Sequence, residues 1–197
     1  MKQFDDLGVS RETIIKLEEY SDLLLKWNSK INLISKKDTE NILTRHILDS
    51  AQLINYINDK NFLIADLGSG GGLPGIVLSI MGCKNIYLIE LDERKAVFLR
   101  EATRKLNLTC NVLNKDISLV EEKFDVCISR GLGELELLLK LSANIIKENG
   151  YCLFLKGQKA DNEIAEASKK INFECKKHPS ITQENGVILE VRNINIK

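Results

Sequence analysis

The chain has 197 residues with 28 basic and 28 acidic side chains and a hydrophobic content of 44%, which predicts one globular domain, or one with a small extension, and enough apolar surface for a core. The zero net charge excludes a protein that binds nucleic acid through a global basic excess, so any cationic surface must be a local patch. No apolar run is long enough to span a membrane, and residues 1–6 lack the apolar segment of a signal peptide.

The first sixty residues have a helical pattern. Ser10 can cap a helix whose apolar residues recur at helical spacing to about Asn28. Asp38 can cap a second helix, which ends before Asn58. Because both helices precede the first predicted strand, we expect residues 1–61 to form a helical cap that belongs to the same domain as the α/β body of residues 62–197.

From residue 62 onward, predicted strands and helices alternate. After the strand that begins at residue 62, strands are predicted at residues 86–89, 108–113, 124–129 and 151–156, and helices at residues 73–81, 92–106, 134–147 and 161–170. A polar turn joins two final strands, at residues 173–178 and 187–194. This order predicts a mostly parallel, Rossmann-like α/β sheet that ends in an antiparallel hairpin, an ending found in methyltransferases.

A glycine-rich turn follows the first strand, within residues 62–75. An apolar run ends at Asp66, a cluster of glycines follows, and a helix is expected to begin near Leu73. The glycines allow positive φ angles and the close approach of a ligand, and the helix directs its free N–H groups at the turn. We therefore expect a nucleotide-like ligand at the carboxyl end of the first strand.

Two ligands fit these glycines. The dinucleotide fingerprint G-x-G-x-x-G is matched by Gly70, Gly72 and Gly75, and Glu90 follows at the expected distance of about 20 residues. The pattern of Asp66 before Gly68-x-Gly70 instead favours S-adenosylmethionine. In that arrangement Asp66 lies near the methionine end, and Glu90 accepts hydrogen bonds from both ribose hydroxyls.

Six motifs occur in the order of one known family. They are Lys26-Trp27-Asn28, Ile31-Asn32-Leu33, Arg45-His46-Ile47-Leu48-Asp49-Ser50, the glycine-rich stretch Asp66 to Gly75, Ile128-Ser129-Arg130 and Leu155-Lys156-Gly157. Through them the chain resembles the RsmG (GidB) family of 16S ribosomal RNA methyltransferases, over nearly its whole length and least after Gly157. The resemblance implies methyl transfer from S-adenosylmethionine to N7 of a guanine in small-subunit rRNA near the decoding site.

The resemblance also implies cofactor contacts by Gly68, Leu73, the pair Asp116-Ile117, and Arg130. The glycine-rich turn and the acid at the end of the second strand add further contacts. The full set of expected cofactor-binding residues is Gly68, Ser69, Gly70, Leu73, Glu90, Asp116, Ile117 and Arg130. Ile117 departs from the family pattern, so its contact is expected through the backbone. No metal is expected.

The sequence offers no dedicated catalytic acid or base. Guanine N7 carries a free lone pair and no hydrogen, so transfer to it needs alignment rather than proton removal. Arg130, His46 and Asp49 are therefore candidates for positioning, although His46 and Asp49, three residues apart on one helix face, equally fit a pair that stabilises the helix.

RNA contacts are expected from four cations, with solvated surface charge as the alternative. These are Lys36, Lys37, Arg45 and Lys156, with the 16S rRNA or the small subunit as partner. Trp27 can stack on a base or pack in the core, and His178 is expected to be structural. Five cysteines without C-x-x-C pairing argue against disulfides and zinc and fit the cytoplasm. A monomer is expected.

Three other functions remain open at this stage. The glycine-rich turn also fits a methyltransferase of small molecules or proteins, an NAD(P)-binding oxidoreductase, or a binding protein without catalysis. The short chain leaves little room for the separate substrate domain of an oxidoreductase.

Overall fold

The structure, a computed structural model, describes residues 7–35 and 42–197. In this part of the chain one sheet has the strand order β3-β2-β1-β4-β5-β7-β6. Its strands are β1 (Leu63–Leu67), β2 (Asn85–Ile89), β3 (Asn111–Leu113), β4 (Phe124–Arg130), β5 (Ile146–Lys156), β6 (Ile171–Pro179) and β7 (Val187–Ile196). β1 to β5 are parallel, and β7 runs antiparallel to β5 and β6. The predicted fold class is confirmed.

Helices flank the sheet and precede it. They are α1 (Arg11–Asn28), α3 (Gly75–Ile80), α4 (Glu93–Lys105), α5 (Leu135–Ala143) and α6 (Ala160–Ser168). The helix that we call α2 changes pitch twice: it is a π-helix over Leu43–Leu48, an α-helix over Asp49–Ala51 and a 3-10 helix over Gln52–Tyr56. A short 3-10 turn, Ile117–Leu119, follows β3. No helix in the described ranges has the length and apolarity needed to cross a bilayer.

Two predicted helix starts are confirmed by their caps. The Ser10 hydroxyl accepts a hydrogen bond from the Thr13 N–H at 3.2 Å at the start of α1. Asp92 Oδ1 accepts one from the Arg94 N–H at 2.9 Å at the start of α4. Asp38, the expected cap of the second helix, lies outside the described residues.

The prediction of a helix over residues 134–147 was too long. Helix α5 ends at Ala143, and β5 begins at Ile146 rather than at residue 151. The Phe124 N–H donates to the Ile145 carbonyl at 2.8 Å, so residues beyond α5 pair with the start of β4. Sheet pairing here overrides the local helical pattern. β3 likewise begins at Asn111, later than the predicted residue 108.

The order of the strands creates a crevice. From β1 the chain proceeds outward to β2 and β3, then returns to the other side of β1 for β4 and β5. The carboxyl ends of β1 and β4 therefore flank a topological switch point, where parallel sheets bind ligands. Helix α1 packs near this point, because Leu17 and Leu24 share one hydrophobic core with Ile64 and Leu88.

Candidate active site

A cavity of about 550 Å³ opens at the carboxyl ends of β1, β2 and β4. Its walls include all eight residues expected to bind the cofactor: Gly68, Ser69, Gly70, Leu73, Glu90, Asp116, Ile117 and Arg130. The fold thus brings together these residues from four separate stretches of the sequence around one space.

The turn after β1 has a conformation that favours glycine. Gly68 has a φ of +66°, and a Cβ added there would lie 2.5 Å from Leu132 Cδ1. The Ser69 N–H donates to the Ile89 carbonyl at 3.0 Å, which fastens the turn to the end of β2. A side chain at position 68 would be strained and would also meet the cavity wall.

Glu90 is held at the end of β2 by backbone groups. Its Oε2 accepts a hydrogen bond from the Gly70 N–H at 2.8 Å, and its Oε1 accepts one from the Asp92 N–H at 2.9 Å. The residue is 8% exposed. Each carboxylate oxygen has a second lone pair, so the carboxylate can still accept hydrogen bonds from two neighbouring hydroxyls. This geometry fits a ribose.

Asp66 lies behind the glycine-rich turn. It is fully buried and does not line the cavity; instead its Oδ2 accepts a hydrogen bond from the Gly75 N–H at 3.0 Å. Burial raises the pKa of Asp66 to about 7. A Cβ at Gly75 would lie 2.7 Å from Asp66 Oδ2, so glycine permits this contact. Asp66 thus holds the turn in place from the side that faces away from the cavity.

The opposite wall combines an acid with apolar side chains. Asp116 Oδ1 accepts hydrogen bonds from the Ser118 N–H at 2.8 Å and hydroxyl at 2.7 Å, and these bonds hold the pKa of Asp116 below its usual value. Ile117, Leu91 and Leu137 supply apolar surface to the same cavity. Apolar walls with a few placed polar groups suit a flat heterocycle such as adenine.

Arg130 connects the cavity to helix α2. Its Nη1 lies 2.6 Å from His46 Nδ1 and 3.8 Å from Asp49 Oδ2. Asp49 Oδ1 also accepts hydrogen bonds from the Thr182 hydroxyl at 2.6 Å and from Gln52 Nε2 at 2.8 Å. Burial raises the pKa of Asp49, and these hydrogen bonds and the charge of Arg130 oppose the rise. His46 and Asp49 therefore contact a strand end rather than only stabilising their own helix.

Sequence reasoning missed two residues of the N-terminal segment that shape the cavity. The Tyr20 hydroxyl donates to the Gly71 carbonyl, behind the glycine-rich turn. Leu33 lines the cavity, and Asn28 Oδ1 holds it there by accepting from the Leu33 N–H at 2.8 Å. In the sequence, Tyr20 is one of the apolar residues that recur at helical spacing in α1. Only its hydroxyl group could have indicated a hydrogen bond to the turn. Leu33 lay within a motif of the resemblance.

Of the four cations expected to contact RNA, the structure describes two. Lys156 Nζ donates to Glu163 Oε2 at 2.7 Å and to the Gly133 carbonyl at 2.6 Å, with 8% of its side chain exposed. Because this partly buried ion pair engages the Lys156 charge, we leave Lys156 out of the proposed RNA surface. Arg45 is exposed on α2, whereas Lys36 and Lys37 lie outside the described residues.

Two aromatic residues with open roles have structural contacts. The Trp27 ring packs against Phe98, with ring centroids 5.7 Å apart. His178 Nε2 lies 2.9 Å from Glu190 Oε2, and its ring lies 4.3 Å from that of Tyr56. These contacts match the interpretation of Trp27 as a core residue and of His178 as structural.

Solved structures share this fold. A ribosomal protein L11 methylase from Lactobacillus delbrueckii subsp. bulgaricus superposes with a TM-score of 0.59 at 20% identity, covering 76% of this chain and 78% of its own. The glycopeptide N-methyltransferase MtfA complexed with S-adenosyl-L-methionine has a TM-score of 0.63 at 10% identity, covering 73% and 92%. The strand order and these two likenesses define the fold of this chain as Rossmann-like, with a ligand cavity at the carboxyl ends of the parallel strands.

Sequence comparisons identify the family. The family described as GidB, rRNA small subunit methyltransferase G, matches residues 13–192. A relative from Gluconobacter oxydans named ribosomal RNA small subunit methyltransferase G is 45% identical over 184 residues, covering 93% of this chain and 95% of the relative. One from Paramagnetospirillum magneticum with the same name is 40% identical over 189 residues, covering 95% and 92%. The chain belongs to this family, which excludes the oxidoreductase alternative.

Proposed function

We propose that the protein transfers a methyl group from S-adenosylmethionine to N7 of a guanine in 16S rRNA near the decoding site. The observation that carries this proposal is the single cavity that gathers Glu90, Asp116 and Arg130 from three strand ends around the glycine-rich turn. Family membership supplies the substrate class. Five cysteines without pairing motifs fit action in the cytoplasm, and we infer a monomer.

Different residues of the cavity would contact different parts of the cofactor. Glu90 would accept hydrogen bonds from the ribose hydroxyls, because backbone N–H groups fix its carboxylate and leave lone pairs available. Asp116 and the backbone of Ile117 would hold the adenine against the apolar wall. Gly68, Ser69 and Gly70 leave room beside the turn, and Leu73 closes it. When bound, the cofactor supplies a methyl group activated by a sulfonium centre.

The cavity is suited to aligning the two reactants rather than to transferring a proton. Within the described residues, its lining contains no cysteine and no histidine. The absence of a cysteine there disfavours transfer through a covalent enzyme intermediate. Guanine N7 needs neither group, because its lone pair is free at neutral pH. Arg130, with His46 and Asp49 behind it, would then orient the acceptor as a positioning residue.

The N-terminal residues 1–61 serve, in this proposal, as the cap that engages RNA. Helix α2 presents Arg45 at the surface, next to His46, which reaches Arg130 at the cavity. Lys36 and Lys37 precede that helix in the sequence. These cations would neutralise phosphates around the target nucleotide.

The decisive experiment maps methylated nucleotides in 16S rRNA before and after incubation with the protein and S-adenosylmethionine. The expected product, N7-methylguanosine, makes the RNA chain cleavable by reduction and aniline. The Glu90→Ala variant is the matched control, since at limiting S-adenosylmethionine its weaker cofactor binding should lower the yield of the product. A methylated RNA that resists this cleavage would overturn the proposed N7 chemistry.

A further inference from the structure

A second cavity adjoins the proposed cofactor cavity. It has a volume of about 200 Å³ and shares Arg130 and Gly131 with the first. Its other walls come from the end of β5 and from the turn between β6 and β7, including Gly157 and Gln183. This cavity is much smaller than the first one, so it suits a single base rather than a folded loop of RNA.

A buried carboxylate belongs to this second cavity. Asp49 lines it and is 5% exposed. Asp49 Oδ1 accepts hydrogen bonds from Thr182 and Gln52, and the Ser180 side chain also contacts this carboxylate. Oδ2 forms an ion pair with Arg130 Nη1 at 3.8 Å, which is beyond hydrogen-bond length, so it keeps lone pairs for a donor. Oδ2 can therefore accept hydrogen bonds from a ligand in the cavity, and a buried carboxylate gains from such donors.

The walls around Asp49 are fixed by a neighbouring side chain. Gln52 Oε1 accepts a hydrogen bond from the Ile181 N–H at 2.9 Å, and Gln52 Nε2 lies 3.2 Å from the Ser180 hydroxyl. Helix α2 thus holds the turn between β6 and β7 in place while it carries Asp49. A site whose walls are braced in this way is organised before its ligand arrives.

The carboxylate of Asp49 can distinguish guanine from the other bases by the donors on its edge. Enzymes that modify a base take it out of the stack and read its Watson–Crick edge. Guanine is the RNA base with two neighbouring donors on that edge, N1–H and the N2 amino group, and a carboxylate accepts from both. The imidazole ring, which contains N7, lies at the opposite end of the base.

We propose that the second cavity receives the target guanine, with Asp49 accepting hydrogen bonds from its N1–H and N2 amino group. N7 then points past Arg130 into the cofactor cavity. This inference rests on the proposed function and adds to it the residue that discriminates guanine from the other bases.

The first test uses inosine, which keeps N1–H and N7 but lacks the N2 amino group. Rates of methyl transfer are measured on 16S rRNA fragments with guanine or inosine at the mapped nucleotide. The wild-type protein should prefer guanine by about tenfold or more, the discrimination expected of a lost base contact. Asp49→Asn should reduce that ratio to about one. Asp161→Asn, which changes an exposed acid paired with Lys177, should keep the wild-type ratio.

The second test fills the cavity and does not depend on Asp49. No described atom lies within 4 Å of a Cβ added at Gly157, so the first carbon of a larger side chain meets no other atom there. Gly157→Leu should lower the transfer rate by about a hundredfold while cofactor affinity and thermal midpoint stay at wild-type values. Gly157→Ala, the matched control, should retain most of the rate.

The outcomes separate this inference from the proposed function. If wild-type protein fails to methylate guanine N7, both are overturned. If it does methylate N7 but Asp49→Asn keeps the wild-type preference for guanine, the assignment of Asp49 is overturned. Full activity of Gly157→Leu would overturn the second cavity as the base site.

Discussion

The hydroxyl of Tyr20 donates a hydrogen bond to the carbonyl oxygen of Gly71, which joins helix α1 to the glycine-rich turn after β1. Tyr20 is fully buried, and burial raises the pKa of its phenol well above the usual value, so the hydroxyl stays a neutral donor. Leu24 of the same helix also contacts the turn, since a Cβ at Gly71 would lie 3.0 Å from Leu24 Cδ1. The N-terminal segment therefore shapes the cavity that we propose for the cofactor.

Tyr20→Phe should lower the affinity for S-adenosylmethionine about threefold to tenfold, because a bond of about 1 kcal/mol that holds the turn is lost. Calorimetric titration measures this. Tyr151→Phe is the control: its hydroxyl donates to the Tyr56 carbonyl at 2.8 Å, outside the cavity. Equal affinity losses in the two variants would show a general effect on stability instead.

Glu90→Ala should weaken cofactor binding by about 1–3 kcal/mol, since the ribose hydroxyls and the Gly70 N–H lose their acceptor. The same titration on Glu101→Ala, which removes an acid on α4 paired with Arg104, should give the wild-type affinity. Wild-type affinity in Glu90→Ala would remove Glu90 from the site.

The rate of methyl transfer in single turnovers at saturating substrates should be nearly flat from about pH 6 to 9, because N7 transfer requires no group to ionise in that range. Rates are measured for wild-type protein and for His46→Ala. A tenfold rise per pH unit that disappears in His46→Ala, while folding and cofactor binding persist, would identify His46 as a base and refute the proposed chemistry.

Removing charge at Lys36, Lys37 and Arg45 together should reduce RNA affinity more than cofactor affinity and should flatten the dependence of RNA binding on salt. Binding is measured at several salt concentrations. The control replaces Lys84 and Lys147, which lie near the amino ends of strands β2 and β5, away from the cavity. If the triple variant keeps the wild-type affinity and salt slope, these cations are only solvated surface.

Asp66 should make the protein less stable as the pH rises. Its pKa of about 7 in the folded state exceeds the ordinary value of 3.8 expected when unfolded. Between these values the folded state holds a proton that the unfolded state has released, so this stabilising contribution is complete below pH 3.8 and is lost as the pH rises through about 7.

Urea unfolding should therefore show a loss of roughly 2 kcal/mol in the free energy of unfolding from pH 5 to pH 8, which Asp66→Asn should abolish. The asparagine side-chain oxygen can still accept from the Gly75 N–H. The difference between the two pH profiles isolates Asp66 from other titrating groups. Parallel profiles would mean that Asp66 is ionised throughout.

The sequence alone determined the features that depend on neighbours in the chain. The caps at Ser10 and Asp92, the turn that begins at Gly68 and the acid at Glu90 are each encoded within a few residues. Alternating strands and helices fixed a mostly parallel sheet, because each segment carries its own periodicity. Since strand ends carry the ligand in such a sheet, the glycine-rich turn and Glu90 could be predicted as cofactor contacts from their positions after the strands, whereas Leu73, Ile117 and Arg130 were expected from the family resemblance.

Only the tertiary structure decided the contacts between distant segments. Asp49 meets Thr182, and His46 meets Arg130, across more than eighty residues of chain. Lys156 could have been a free surface cation, but Glu163 pairs with it in a partly buried ion pair. Residues beyond Ala143 carried a helical pattern and joined the sheet instead. These contacts depend on the order of the strands in the sheet and on which polar groups become buried together. A local sequence pattern contains neither kind of information.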